Sequence, residues 1–121
     1  MTMRILFCGF GKLGKDCVQR LIVEGYTISF ILTHKELDND SVDTFAKEHN
    51  IKYSYKDTRN HMNDIKEDIS KENIDYLISV NYRYIIPTEI FKLPKYAINI
   101  HGSLLPKYRG RTPHVWSIIN G

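Results

Sequence analysis

Arg4-Ile5-Leu6-Phe7-Cys8-Gly9-Phe10-Gly11-Lys12-Leu13-Gly14 decides the fold of this 121-residue chain. Residues 4–8 are a short apolar run, the length of a buried strand, and a Gly-x-Gly-x-x-Gly turn follows at once. Beyond the turn, Val18, Leu21 and Ile22 share one face of a helical pattern that Gly25 stops. The alternation then repeats. Residues 27–32 are β-branched and apolar, a second strand. Ser41 is placed to cap a short helix to His49, with Phe45 and Ala46 on its apolar face. Residues 51–55 make a weaker third strand. Residues 60–72 are strongly charged, with Ile65 and Ile69 four apart, as in a solvated amphipathic helix. Residues 75–80 read as a buried strand, and Pro87 starts a short helix through Phe91 and Leu93. Residues 96–101 form the fifth strand. Thr112 then caps, and Pro113 opens, a last helix carrying Val115, Trp116, Ile118 and Ile119.

Strands alternating with helices predict an α/β fold, a Rossmann-like parallel sheet with helices on both faces. Such sheets bind ligands outside the carboxyl ends of their strands. The glycine turn after strand one, Asn81-Tyr82-Arg83 after strand four and His101 at the end of strand five converge there.

The length suits one domain, and 42% hydrophobic residues are enough for a real core. A net charge of +3 makes no case for nucleic-acid binding, although it does not oppose an anionic ligand. Cys8 and Cys17 have neither CxxC nor metal-ligand spacing, so they read as buried thiols in a reducing compartment. The first residues are too briefly apolar for a signal peptide, and no stretch approaches transmembrane length. A soluble cytoplasmic protein without a metal site or a membrane partner is expected. Of the remaining histidines, His34, His49 and His61 read as surface or structural, and His114 does too unless it lines the pocket beside Pro113. Residues 34–40 read as a surface loop.

The glycine turn has the strand-to-helix context of a dinucleotide site. The acid that would hold a ribose belongs about 20 residues further on. The sequence there is Leu32-Thr33-His34-Lys35, with Glu36 slightly beyond. That mismatch speaks against NAD. Two readings remain: glycines that only permit a tight turn, or a helix start at Gly11 and Lys12 that faces the phosphates of an acceptor substrate.

Within residues 97–101, Ile98 and Ile100 point one way and Asn99 and His101 the other. An amide and an imidazole thus emerge on one face at a strand end. The amide can donate to a developing oxyanion and the imidazole can carry a proton, which suits attack of an amine on a carbonyl. The stretch continues through Gly102-Ser103-Leu104-Leu105-Pro106-Lys107-Tyr108-Arg109-Gly110-Arg111-Thr112-Pro113. This pattern, N-x-H-x-S-L-L-P-x-x-x-G-x-x-P, resembles the signature of the N10-formyltetrahydrofolate-dependent formyltransferases. The likeness is loose over the whole chain and close over residues 76–121.

The resemblance implies the N-terminal Rossmann-like domain of such an enzyme, spanning residues 1–121 and incomplete at its C-terminal end. It also implies that the family's His-pairing Asp lies beyond Gly121, so that this chain alone transfers formyl groups poorly. By that resemblance Asn99 and His101 are catalytic. Arg83, Tyr84, Ile85 and Ile86 belong to the pocket for N10-formyltetrahydrofolate. Gly11, Lys12, Tyr82, Ser103, Arg109 and Arg111 face the acceptor. Arg109 and Arg111 equally suit a second task, pinning their own loop through its carbonyls. Tyr82-Arg83 and Tyr108-Arg109-Gly110-Arg111 are similar to the nucleotide-sugar members, which implies a nucleotide-linked amino sugar as acceptor, no nucleic acid, and room for a homodimer of the full-length protein. The alternatives are a methionyl-tRNA formyltransferase, or a non-catalytic module that binds a nucleotide or a folate.

Overall fold

The computed structural model describes residues 3–36 and 40–100. The last helix expected from Pro113, with Trp116, and the site residues His101, Ser103, Arg109 and Arg111 lie outside the described residues, as does His114. Among the described residues the elements run β1 (Arg4–Gly9), α1 (Gly11–Val23), β2 (Thr27–Leu32), α2 (Val42–Glu48), β3 (Tyr53–Ser54), α3 (Met62–Ser70), β4 (Tyr76–Val80), α4 (Thr88–Phe91) and β5 (Tyr96–Ile100). The five strands form one parallel sheet in the order β3-β2-β1-β4-β5.

Each face of the sheet has its own apolar cluster. On one face Leu6, Cys8, Leu77 and Ala97 pack against Ile65 and Ile69 of α3 and Ile90 and Phe91 of α4. On the other, Ile5, Phe7, Ile31, Ile78 and Val80 pack against Val18 of α1 and Val42, Phe45 and Ala46 of α2. Burial on both faces explains why β1, β2 and β4 read as continuous apolar runs rather than as alternations. Ile65 and Ile69 are both buried while the rest of α3 is half-buried or exposed, as their spacing requires.

β2 carries a register shift that the sequence does not announce. Ile28 pairs with Ile5 and Phe30 with Leu6, so Ser29 is an extra residue in the ladder. Without it Ile28 and Phe30 would share a face. With it Ile28 joins the α1/α2 side and Phe30 the α3/α4 side. The third strand is shorter than its apolar run, because it pairs only through Ile31–Tyr53 and Leu32–Ser54 at the sheet edge. Cys8 is buried and Cys17 half-buried, both as free thiols.

Gly9 closes β1 where it runs against β4. A Cβ there would stand 2.7 Å from the Val80 carbonyl oxygen and 2.9 Å from the Phe7 ring. The carbonyl belongs to a paired strand and has nowhere to move. Gly9→Ala is therefore expected to cost about 1–3 kcal/mol through overpacking, read as a lower denaturation midpoint. An unchanged midpoint would mean that Gly9 does not set the β1–β4 spacing.

From β1 the chain winds outward to β2 and β3, then crosses back to β4 and β5 on the other side. The carboxyl ends of β1 and β4 therefore flank the switch point of the sheet, the place where open α/β sheets bind their ligands.

Candidate active site

β5 presents Asn99 opposite Ser79 of β4, one residue from its end. The side chain is 3% exposed, and its amide nitrogen is buried without a hydrogen-bond partner among the described residues. Ser29 Oγ and Thr33 Oγ1 share that state among the described residues. Burying an unpaired amide donor costs about 1–3 kcal/mol, so the position asks for a function. The strand phase is as the sequence requires: Ala97 joins the α3/α4 cluster, whereas Ile98 packs on the opposite face.

The segment after β4 is the second component. Asn81 turns the chain with φ of +58°, the left-handed region that asparagine tolerates better than most residues. Tyr82 then points inward, 7% exposed, with its hydroxyl 3.5 Å from the Lys56 carbonyl. Burial pushes that phenol far above its ordinary range. Arg83, Tyr84 and Ile85 are exposed, and Ile86 packs onto the core. The Arg83 guanidinium lies over the Phe10 ring at 4.6 Å. Thr58, fully buried, donates to the Ile85 carbonyl at 2.5 Å.

His34, just past β2, knits these pieces together. Its Nε2 accepts the Arg83 main-chain N–H at 3.1 Å. Its ring stacks on Tyr82 at 5.0 Å and meets the edges of Tyr84 at 4.7 Å and Phe10 at 5.1 Å. Burial and the nearby Arg83 charge hold the imidazole below its usual range, against a weaker pull from Asp57.

The glycine turn is the third component. Gly11 has φ of +76°, a conformation that favours glycine, and it begins α1. Its N–H donates to both carboxylate oxygens of Glu36, at 3.0 and 3.2 Å. No side chain caps α1 locally, and Glu36 meets the positive end of the helix instead. Lys12 pairs with Asp40 at 3.2 Å and Asp16 at 3.9 Å. The anion position at this helix start is thus taken by the chain's own carboxylate.

Asp43, 2% exposed, anchors Glu36 in turn. One of its oxygens accepts from the Glu36 N–H at 3.3 Å and from the Tyr55 hydroxyl at 3.0 Å. The other accepts from the Ser41 hydroxyl and from the Thr44 N–H at 2.9 Å. Burial raises the Asp43 carboxyl, but these four donors outweigh it and hold it below the usual carboxylate range. Burial and the Asp43 bond push the Tyr55 phenol up to about 12.

Of the residues singled out in the sequence, Asn99, Tyr82, Arg83, Tyr84, Ile85, Ile86, Gly11 and Lys12 are described. Arg83 and Tyr84 meet the turn residue Phe10 through His34 and the cation–π contact. Tyr82 is built into the core, and Gly11 and Lys12 face Glu36, Asp40 and Asp16. His34, Thr58 and Asp43 were missed as site-building residues. For His34 a signal existed: it directly follows the strand next to β1, at the carboxyl end of the sheet. Among the described residues no group of three or more His, Cys, Asp or Glu is placed to hold a metal ion. None of their helices is long and apolar enough to cross a membrane.

Residues 17–121 match the family described as formyl transferase. The chain belongs to that family. A methionyl-tRNA formyltransferase of Clostridioides difficile is 36% identical over 128 aligned residues, covering 98% of this chain and 41% of the relative. A methionyl-tRNA formyltransferase of Caldanaerobacter subterraneus is 31% identical with the same coverage. The chain thus spans about two fifths of the curated formyl transferases it matches. The fold agrees as well. The crystal structure of a phosphoribosylglycinamide formyltransferase from Bacillus halodurans superposes with a TM-score of 0.64 at 18% identity, covering 87% of this chain and 59% of the other.

Proposed function

We propose that the protein carrying this chain transfers a formyl group from N10-formyltetrahydrofolate to the amine of methionyl-tRNA. The observation that carries this reading is the 36% identity, along 98% of the chain, to a protein named for that activity. The buried, unpaired amide of Asn99 fits it: a donor held dry at a strand end suits an oxygen on which negative charge develops. The donor would supply the formyl carbonyl. Asn99 would hydrogen-bond the carbonyl oxygen, and His101 would take the proton from the amine as it bonds to the formyl carbon; the bond from that carbon to N10 would then break, and tetrahydrofolate would leave with a proton on N10. Residues 83–86, largely exposed beside Asn81, would receive the donor. Ser103, Arg109 and Arg111 are proposed to face the acceptor.

The nucleotide-linked amino sugar expected from Tyr82-Arg83 and residues 108–111 has less support. Both relatives are named for a tRNA substrate, and Tyr82 is built into the core. The expectation of no nucleic-acid partner has less support for the same reason. It rested on a charge of +3, but a chain spanning 41% of its relatives is no measure of the whole protein's charge. The engagement of Gly11 and Lys12 with carboxylates also removes a ready place for the phosphate of a small acceptor at the α1 start.

The test offers the whole protein a labelled formyl donor with three acceptors in parallel: methionyl-tRNA, a nucleotide-linked amino sugar and glycinamide ribonucleotide. The label is expected on methionyl-tRNA. Label on the sugar alone would restore the first expectation, and label on none would sink both.

A further inference from the structure

We propose that His34 is a positioning residue: its ring nitrogen holds the loop after β4 in the shape that receives the formyl donor, and protonation of that nitrogen releases the loop. This rests on the reading of residues 83–86 as the donor-binding segment. Arg83, Tyr84 and Ile85 are three consecutive exposed residues, so apolar burial does little to fix them. Two hydrogen bonds reach across to their backbone. His34 Nε2 accepts the Arg83 N–H at 3.1 Å, and Thr58 Oγ1 donates to the Ile85 carbonyl at 2.5 Å. The Thr58 bond does not titrate. The His34 bond does, because an imidazole nitrogen that accepts a hydrogen bond must be unprotonated.

The groups around His34 sharpen the switch. Tyr82, Tyr84 and Phe10 surround the ring with aromatic surface. Arg83, from the loop itself, brings a positive charge, and Asp57, from the segment after β3, brings a weaker opposing one. Lys35 and Glu36 follow in sequence, with Glu36 turned to the α1 start. Protonation would set two donors, Nε2–H and the Arg83 N–H, against each other and place a cation beside the Arg83 guanidinium. The loop would lose its anchor on the β2 side while Thr58 still held its far end. The neutral form is favoured here, so release belongs below an ordinary imidazole's range, which centres near about 6.5.

The test compares the whole protein with its His34→Gln and His34→Ala variants at about pH 7.5 and at about pH 4.5, well below an ordinary imidazole's range. A glutamine side-chain oxygen can accept the Arg83 N–H but does not titrate. Two quantities are read: hydrogen-exchange protection of the Arg83 amide relative to its intrinsic rate, and KM for the formyl donor against kcat at saturating acceptor. In the parent, protection is expected at the higher pH and lost at the lower, with donor KM rising about tenfold on loss of the bond and kcat little changed. His34→Gln should keep both readouts level with pH. His34→Ala should lack protection and show the raised KM at both. Unchanged Arg83 protection in His34→Ala would overturn the proposal, as would a parent-like pH dependence of donor KM in His34→Gln. A protein that neither binds nor uses the donor at either pH would defeat the functional reading instead, and Arg83 exchange would still decide whether His34 is the anchor.

Discussion

Asn99→Ala is expected to slow formyl transfer by about 10²–10³-fold, the loss of about 2.7–4 kcal/mol typical for removing one oxyanion donor. The loss should fall on kcat rather than on donor KM, because on the proposed reading the amide would meet a charge that develops during reaction, not in the bound ground state. Folding should be nearly indifferent. The amide nitrogen is buried and unpaired, so the substitution removes an unsatisfied donor along with a few packing contacts. These effects oppose each other, and the unfolding free energy is expected to change by less than about 1 kcal/mol. Steady-state kinetics with a parallel urea titration separate the two. A large stability loss with normal turnover would make Asn99 a structural residue.

The largest stability effect belongs to Asp43→Ala. Its carboxylate gathers donors from Ser41, Thr44, Glu36 and Tyr55, joining the start of α2, the segment after β2 and the segment after β3. Removing it leaves these donors without their common acceptor, at an expected cost of about 3 kcal/mol or more. It would also free the Glu36 backbone and loosen the carboxylate from the α1 start. Asp43→Asn keeps an acceptor oxygen but not the charge, and should fall in between. Acid should act in the same sense. The folded state holds this carboxyl below its unfolded value, so the unfolded chain takes up the proton first. The stabilisation is therefore full above about pH 4, near the unfolded pKa, and fades as pH falls through the lower folded value. Urea midpoints measured down this range should converge for the parent and Asp43→Asn. A parallel pair of curves would show that Asp43 is not the titrating support.

The fold was legible because its signals are local. Strand β2 matches its apolar run at Thr27–Leu32, Ser41 caps α2 by accepting from the Thr44 N–H, and Gly25 follows the end of α1 with a positive φ. The face of Asn99 followed from strand alternation alone. What escaped is what depends on residues far apart in sequence. The Ser29 bulge is dictated by which side of β1 each residue must meet. Glu36 on the α1 start joins positions 25 residues apart, and His34 to Arg83 joins positions 49 apart. His34 reads as surface or structural because nothing near it in sequence shows the loop that β4 delivers. Glu36 was weighed as a ribose-binding acid; its carboxylate instead caps the turn it follows by a strand and a helix.

The central claim is that the formyl donor binds at the carboxyl ends of β4 and β5. Amide chemical shifts of the whole protein, titrated with a non-transferring analogue of N10-formyltetrahydrofolate, test it most directly. The expected result is saturable change at Arg83, Tyr84, Ile85, Ile86 and the Asn99 side-chain amide, with Gly11 little moved. Changes confined to the Gly9–Gly14 turn, or no change at Asn99 and residues 83–86 at saturation, would contradict it.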